Sequence, residues 1–406
     1  MNIFKKLRDD FPILTQQVNG YPLVACDNAS TTHKPQSVID AMVQFYTTTN
    51  ANIYRGIHSF AEQATKKYEE ARQKVAQFIG AYQDEVIFTG GCTSGINFVT
   101  ATWGEISIQA GDEIVMTELE HHANLLPWQR LAHKKGAILK FIPVLSDGNL
   151  DLSHLNTIIT NKTKIVSVIH VSNAIGTHVD ITTIIARARV VGARILIDAA
   201  QSIPHQKINV HDIDCDFLVF SGHKMLGPTG IGVLFIKQEL HAYIPPYEVG
   251  GGMVENVDRI HASWAPSPQK FEAGTPPIAQ AIGLGAAIDY LEKHIDFNKL
   301  VIHEAQLCAR LIDGLLPLQK ITLLGSLSQL KQNGHLVSFL VDGFHSHDVA
   351  AFLDARGISV RAGHHCAQPF AKQLGYDASV RVSFYFYNTM QEVDSIISAL
   401  HELLTI

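Results

Sequence analysis

Apolar residues are gathered along the chain in short blocks, not in long spans. Seven such blocks punctuate it at residues 85–89, 113–117, 139–144, 164–171, 194–198, 216–220 and 232–236, each rich in Val, Ile, Leu or Phe. A near-continuous apolar run of strand length is what a strand buried on both faces requires, so the blocks predict a mostly parallel, seven-stranded sheet. Helical stretches between several of them predict an α/β layered fold, with helices sandwiching the sheet. Before the first block, Ala61, Ala64, Tyr68, Ala71, Val75, Phe78 and Ile79 recur every three or four positions. That spacing predicts a long core-facing helix, opened by Ser59 with Glu62 as a capping box and closed by Gly80.

After about residue 290 the pattern changes. Stretches 335–342, 358–361 and 380–386 read as strands, and 348–356 and 391–404 as helices, the last opened by Thr389 with Glu392. The expectation is a large domain over residues 21–290 and a smaller α+β domain formed by residues 1–20 and 291–406. Gly- and Pro-rich stretches at 245–252 and 265–277 predict long loops, which are often functional.

Composition narrows the class. The chain is 46% hydrophobic and 17% charged, with 32 Lys and Arg against 38 Asp and Glu and a net charge of −6. A disordered chain would be less apolar, and a nucleic-acid binder would carry an excess of basic residues, so no nucleic-acid partner is expected. No apolar run approaches the ~18 residues of a membrane span, and the start lacks the apolar stretch of a signal peptide. Five cysteines, Cys26, Cys92, Cys215, Cys308 and Cys366, are odd in number and widely spaced. That pattern indicates neither a disulfide framework nor a zinc ribbon. A reducing, cytoplasmic setting is the expectation.

Candidate chemistry collects where the apolar blocks end. Ser221-Gly222-His223-Lys224 follows one block, and Asp198 closes another and runs into Ala199-Ala200-Gln201. A carboxylate there is either a helix cap or a ligand group at the sheet's C-terminal edge. Gly90-Gly91-Cys92-Thr93-Ser94-Gly95 joins the first block to a helix, where N–H groups and the helix dipole suit a phosphate. It is neither a Walker loop nor Gly-x-Gly-x-x-Gly. His121-His122 and Asn173 follow further blocks. A phosphate cradle, a carboxylate and an amine on one edge match pyridoxal 5'-phosphate, which needs an amine for its aldehyde, a carboxylate for its ring nitrogen and donors for its phosphate.

Three further motifs join these: Glu120-His121-His122-Ala123-Asn124, Phe271-Glu272-Ala273-Gly274-Thr275-Pro276 and Arg361-Ala362-Gly363-His364-His365-Cys366-Ala367-Gln368-Pro369. Together the set resembles the class V-fold aminotransferase superfamily and, within it, the cysteine desulfurases of the SufS/CsdA type. The resemblance runs from Asp27-Asn28-Ala29 to Tyr387-Asn388-Thr389. It implies a pyridoxal-phosphate-dependent transferase of fold type I, a homodimer in the cytoplasm, acting on L-cysteine, with L-selenocysteine as an alternative substrate. Alanine is the product, and the sulfur stays as a persulfide for a protein acceptor in iron–sulfur or related supply.

The resemblance also implies roles for individual residues. Lys224 bonds the cofactor's aldehyde and moves the substrate's α-proton. Asp198 pairs with the ring nitrogen and Gln201 approaches the phenolic oxygen. His121 stacks on the ring and helps proton transfer, and Asn173 lies near the cofactor hydroxyl. Thr93, Ser221 and His223 hold the phosphate, and Thr275 reaches it across the subunit interface. Arg381, helped by Asn173, clamps the substrate carboxylate in the bidentate manner of a guanidinium. Cys366 is the nucleophile. Taken singly, Arg381 could be a surface charge, His121 a cap or core histidine, and Thr275 a loop residue. The rival functions are a selenocysteine lyase, another class V enzyme with no need of Cys366, and a non-catalytic scaffold. Intact Lys224, Asp198 and Cys366 argue against the last.

The cysteines divide accordingly. Cys26, Cys215 and Cys308 have apolar or helical surroundings. Cys92 lies in the proposed cradle, where a helix N-terminus is expected to lower its pKa. Cys366 follows two histidines in a glycine-containing loop, expected to be mobile and to present an accessible thiol. Neighbouring side chains of an extended segment point to opposite faces, so His364-His365-Cys366 is not expected to share a metal. Some positions depart from the family pattern. Its Arg-Gly-Thr-Thr-Glu is Gly90-Gly91-Cys92-Thr93-Ser94 here, its Asn-x-His-Arg is Asn52-Ile53-Tyr54-Arg55, and its Trp-Arg is Gln269-Lys270. These changes bear on subunit contacts, active-site closure and the choice of sulfur acceptor.

Overall fold

The structure, a computed structural model, describes residues 4–405. Seven strands form its main sheet: β1 (Val86–Thr89), β2 (Glu113–Thr117), β3 (Ile138–Ile142), β4 (Thr163–Ile169), β5 (Arg194–Asp198), β6 (Phe217–Ser221) and β7 (Gly232–Ile236). They lie in the order β1-β7-β6-β5-β4-β2-β3. Only β7 runs against its neighbours, and the others pair in parallel or share that direction. Each predicted block falls on one of these strands, with its ends displaced by at most two residues.

Alternation along the strands divides the core into two layers. Val115, Val166, Ile195, Leu218 and Val233 face one layer, while Ile114, Ile165, Leu196, Phe217 and Leu234 face the other. Helix α1 (Ser59–Ile79) covers the first layer with Tyr68, Val75 and Ile79. Helices α2 (Cys92–Val99) and α3 (His122–Lys135) cover the second through Ile96, Val99, Trp128 and Leu131. A sheet covered on both faces explains why its strands read as continuous apolar runs.

One cap differs from expectation. Ser59 is already helical, and the cap of α1 is His58, whose Nδ1 accepts the Ala61 N–H at 3.3 Å. The Ser59 and Glu62 box does not form. Gly80 ends the helix as expected, at φ 70°.

Two long helices, α4 (Ile278–His294) and α5 (Phe297–Leu315), lead to a second sheet. Its strands are β8 (Ile321–Leu324), β9 (Leu336–Val341), β10 (Arg361–Gly363) and β11 (Ser379–Ser383), in the order β8-β9-β11-β10, all antiparallel. Helices α6 (Ser346–Asp354) and α7 (Met390–Leu403) join it, and α7 opens with the expected Thr389–Glu392 capping box. The predicted strand 358–361 divides in two. Ile358–Ser359 pairs in parallel with Val24–Ala25, and Arg361–Gly363 pairs with β11 so that Arg361 lies opposite Arg381. Among the described residues, no helix is long and apolar enough to cross a membrane.

Candidate active site

The parallel strands end on one edge of the main sheet, and a cavity of about 230 Å³ lies there. Asp198 is the last residue of β5 and Ser221 the last of β6. Cys92 opens α2 after β1, His121 caps α3 after β2, and Asn173 follows β4. The second sheet closes the cavity with Arg361 and Arg381, and the loop after β10 adds Cys366. Every site residue expected from the sequence lines this cavity except Thr275.

The turn into α2 has the form of an anion cradle. Gly91 sits at φ 140°, ψ 179°, a conformation essentially closed to side chains. A Cβ on Gly232 would lie 2.4 Å from Gly91 Cα, so β7 presses directly on this turn. Helix α2 has no side-chain cap, and the first N–H groups of a helix have no partner within it. Ser221 Oγ accepts the Cys92 N–H at 2.9 Å, which leaves its own proton to donate. Burial, and then the charge of Lys224, push the pKa of His223 down to about 4.

Asp198 is buried, and its Oδ1 accepts the Ala200 N–H at 3.0 Å and the Cys92 S–H at 3.2 Å. Among the described residues no donor reaches Oδ2. Lys224 makes no hydrogen bond among them either. Burial lowers its pKa, with Asp198 acting in opposition. Gln201 gives one N–H to the Ala29 carbonyl at 2.6 Å and keeps the other. An unpaired amine, an open carboxylate oxygen and an uncapped helix N-terminus around one cavity fit pyridoxal 5'-phosphate. Cys92 corrects the expectation of a low pKa. Burial, and then Asp198, raise its pKa well above the usual value, outweighing the helix N-terminus.

The other side of the cavity suits a carboxylate substrate. Arg381 is buried; its Nη1 donates to the Asn173 carbonyl at 2.7 Å, and its Nη2 to Ser30 Oγ at 2.8 Å and Asp27 Oδ1 at 3.1 Å. Its Nε and the Oδ1 of Asn173 are buried without a partner. Burial lowers the arginine's pKa to about 10, with Asp27 opposing. A second guanidinium, Arg361, reaches the same Ser30 Oγ at 2.8 Å. Ser30, Arg361 and His365 were not among the expected site residues. Arg361 and His365 stand in the motif that carries Cys366, and their positions were the available signal.

His121 is both cap and site residue. Its Nδ1 accepts the Ala123 N–H at 3.0 Å, which puts the proton of the neutral ring on Nε2. Burial and the nearby Lys224 push its pKa down to about 4.

The segment bearing Cys366 is not extended. His365 and Cys366 have φ of 51° and 56°, so the chain turns there. His365 is buried against Ser379 Oγ at 2.9 Å, whereas Cys366 is half-buried in the cavity. Three hydrogen bonds hold the segment in the arrangement seen. Asn173 Nδ2 donates to the His365 carbonyl at 2.5 Å, the His122 N–H to the Cys366 carbonyl at 2.8 Å, and the Gln368 N–H to His122 Nε2 at 3.1 Å. Thr275 is exposed and lies elsewhere, accepting from Asn52 Nδ2 at 3.3 Å. Among the described residues no group of His, Cys, Asp or Glu is placed to hold a metal ion.

Fold and cavity together define a fold-type I enzyme dependent on pyridoxal 5'-phosphate. The Aminotransferase class-V family matches residues 24–396. A probable cysteine desulfurase of Streptomyces coelicolor is 46% identical over 98% of this chain and 96% of its own. The apo structure of the cysteine desulfurase of Thermococcus onnurineus superposes with a TM-score of 0.94 at 42% identity, covering 100% of this chain and 99% of that one. The cysteine desulfurase CsdA of Escherichia coli gives 0.91 at 35%, with 98% of each chain covered. The chain belongs to the Aminotransferase class-V family, among its cysteine desulfurases.

Proposed function

We propose that this enzyme removes the sulfur of L-cysteine with Cys366 as its nucleophile and releases L-alanine. What carries the reading is the meeting of Lys224, Arg381 and Cys366 on one cavity, although Lys224 follows a main-sheet strand, Arg381 lies on a strand of the second sheet and Cys366 on the loop after Arg361–Gly363. Lys224 holds the aldehyde carbon of pyridoxal phosphate, Asp198 its ring nitrogen, Gln201 its phenolic oxygen, and Thr93, Ser221 and His223 its phosphate. When bound, the cofactor supplies an electron sink for the substrate's α-carbon.

Arg381, which lines the cavity, orients the substrate by its carboxylate. Lys224 moves the α-proton, a role its lowered pKa favours. His121 stays neutral near pH 7 and presents the Nε2 proton to the cavity. Cys366 as thiolate attacks the substrate sulfur. The new S–S bond forms as the substrate's C–S bond breaks, and the β-carbon ends with a proton in place of sulfur. A persulfide remains on Cys366 and passes to a protein acceptor.

The working form is a cytoplasmic homodimer in which Thr275 of one subunit completes the phosphate site of the other. Its exposure, away from the cavity of its own chain, supports that placement. The domain division proposed is 21–290 against 1–20 with 291–406.

The test combines spectra with product assays. Purified protein with pyridoxal phosphate is expected to show a visible absorption band and to yield equal alanine and sulfane sulfur from L-cysteine. Cys366→Ala should keep the band and lose sulfur release, while Lys224→Ala should lose the band. Full desulfurase activity in Cys366→Ala would remove the nucleophile assigned here.

A further inference from the structure

Cys92 connects two ends of the cavity. Its N–H goes to Ser221 Oγ at 2.9 Å, and its thiol to Asp198 Oδ1 at 3.2 Å. The first bond belongs to the backbone and would survive any side chain, whereas the second needs a donor on Cβ. Cys92 is 6% exposed and belongs to the apolar layer that also holds Ile96, Val219 and Ala200. Its proton stays on, because burial and the facing carboxylate both disfavour a thiolate. Cys92 is therefore a permanent donor and not a second nucleophile. With the Ala200 N–H, it gives Oδ1 two donors from two different elements. Such a pair fixes the plane of a carboxylate as outer-shell partners fix metal-binding groups, and it leaves Oδ2 without a hydrogen-bond partner among the described residues.

We propose that the Cys92 thiol is a positioning residue for Asp198: by occupying Oδ1 it holds Oδ2 towards the ring nitrogen of the cofactor. The inference rests on the pyridoxal-phosphate reading of the cavity and adds a residue to it. A hydrogen bond to a charged group has a measurable effect when deleted, and its loss here should reach both the retention of the cofactor and the rate.

The experiment compares holoenzyme carrying Cys92→Ala or Cys92→Ser with the unaltered protein. Three quantities are read, the Kd for pyridoxal phosphate by absorbance titration and the steady-state kcat and KM for L-cysteine. In Cys92→Ala, Kd is expected to rise and kcat to fall, each about ten-fold, with KM within about two-fold. Cys92→Ser keeps a donor and should restore both to within about three-fold. Unchanged Kd and kcat in Cys92→Ala overturn the proposal. Equal impairment of the Ser and Ala variants also overturns it, because the thiol would then act through packing. Failure of the underlying reading looks different: the unaltered protein would show no visible band with pyridoxal phosphate.

Discussion

Arg381 carries more obligations than any other cation in the cavity. It serves the Asn173 carbonyl, Ser30 and Asp27 at once, yet keeps Nε unspent. A lysine has no planar fork and could not meet these partners together. Arg381→Lys is therefore expected to raise the KM for L-cysteine on the order of ten-fold or more, with a smaller change in kcat. Steady-state kinetics over a range of cysteine concentrations reads this directly, and a KM within two-fold of the original would move the substrate carboxylate to Arg361. At this scale the chemistry of the site was legible, because Lys224, Asp198 and Ser221 stand at or just after the ends of apolar runs. Ser30 and Arg361 were not, since their role depends on register: only the pairing of β10 with β11 sets Arg361 opposite Arg381. The turn at His365 and Cys366 was hidden for another reason. Non-glycine residues rarely adopt positive φ, and nothing in their identity announces it.

At the scale of elements, one buried ion pair ties a functional loop to the main sheet. Arg72 of α1 is fully buried and forks onto Glu272, with Nη1 to Oε1 at 2.6 Å and Nη2 to Oε2 at 2.8 Å. Glu272 also accepts the Phe88 N–H of β1 at 2.7 Å and the Tyr68 hydroxyl at 2.9 Å. The glutamate of Phe271-Glu272-Ala273-Gly274-Thr275 thus anchors the segment that presents Thr275. Glu272→Ala would leave the Phe88 amide and the Tyr68 hydroxyl without their acceptor, while Arg72 would keep Glu69, 3.2 Å from its Nε, and the Val86 carbonyl at 2.8 Å. The expected loss is about 2–3 kcal/mol of stability, measured by urea unfolding, and a loss below about 1 kcal/mol would contradict the anchoring role. Elements were legible where their pattern is one-sided or continuous. The seven strands showed themselves as apolar runs and α1 as a stripe. Helix α4 did not, because Ala279, Ala281, Gly283, Leu284, Gly285 and Ala287 bury its first turns nearly all round, and polar exposed residues appear only from Asp289 on. Helix α5, with a stripe at Leu300, Leu307, Leu311 and Leu315 behind an Asp296 cap, is not among the predicted elements although its pattern is one-sided.

Across the whole molecule, buried histidines set the response to acid. Burial holds His33, His121, His170, His178 and His223 at a pKa of about 4, His365 at about 3, and His335 well below its usual value. In the unfolded chain each titrates near ~6.5. Between pH 6.5 and about 4 the unfolded chain thus binds protons that the native chain refuses, and stability falls as pH falls. The contribution of these histidines is complete above about pH 6.5 and is lost on the way down. Glu120, raised to about 7 by burial, acts the other way. Its contribution is full below its unfolded value of about 4.3 and is lost as pH rises through 7. Glu304 is raised as well, by burial. The histidines outnumber these carboxyls, so the melting temperature of the holoenzyme should drop between pH 7 and pH 5. Calorimetry across that interval decides the matter, and a level or rising melting temperature would mean that the interior admits protons. Over the same interval the cavity's own histidines, His121 and His223, stay neutral. Activity per folded molecule should then decline less steeply than stability, which paired activity and circular-dichroism measurements at each pH would separate.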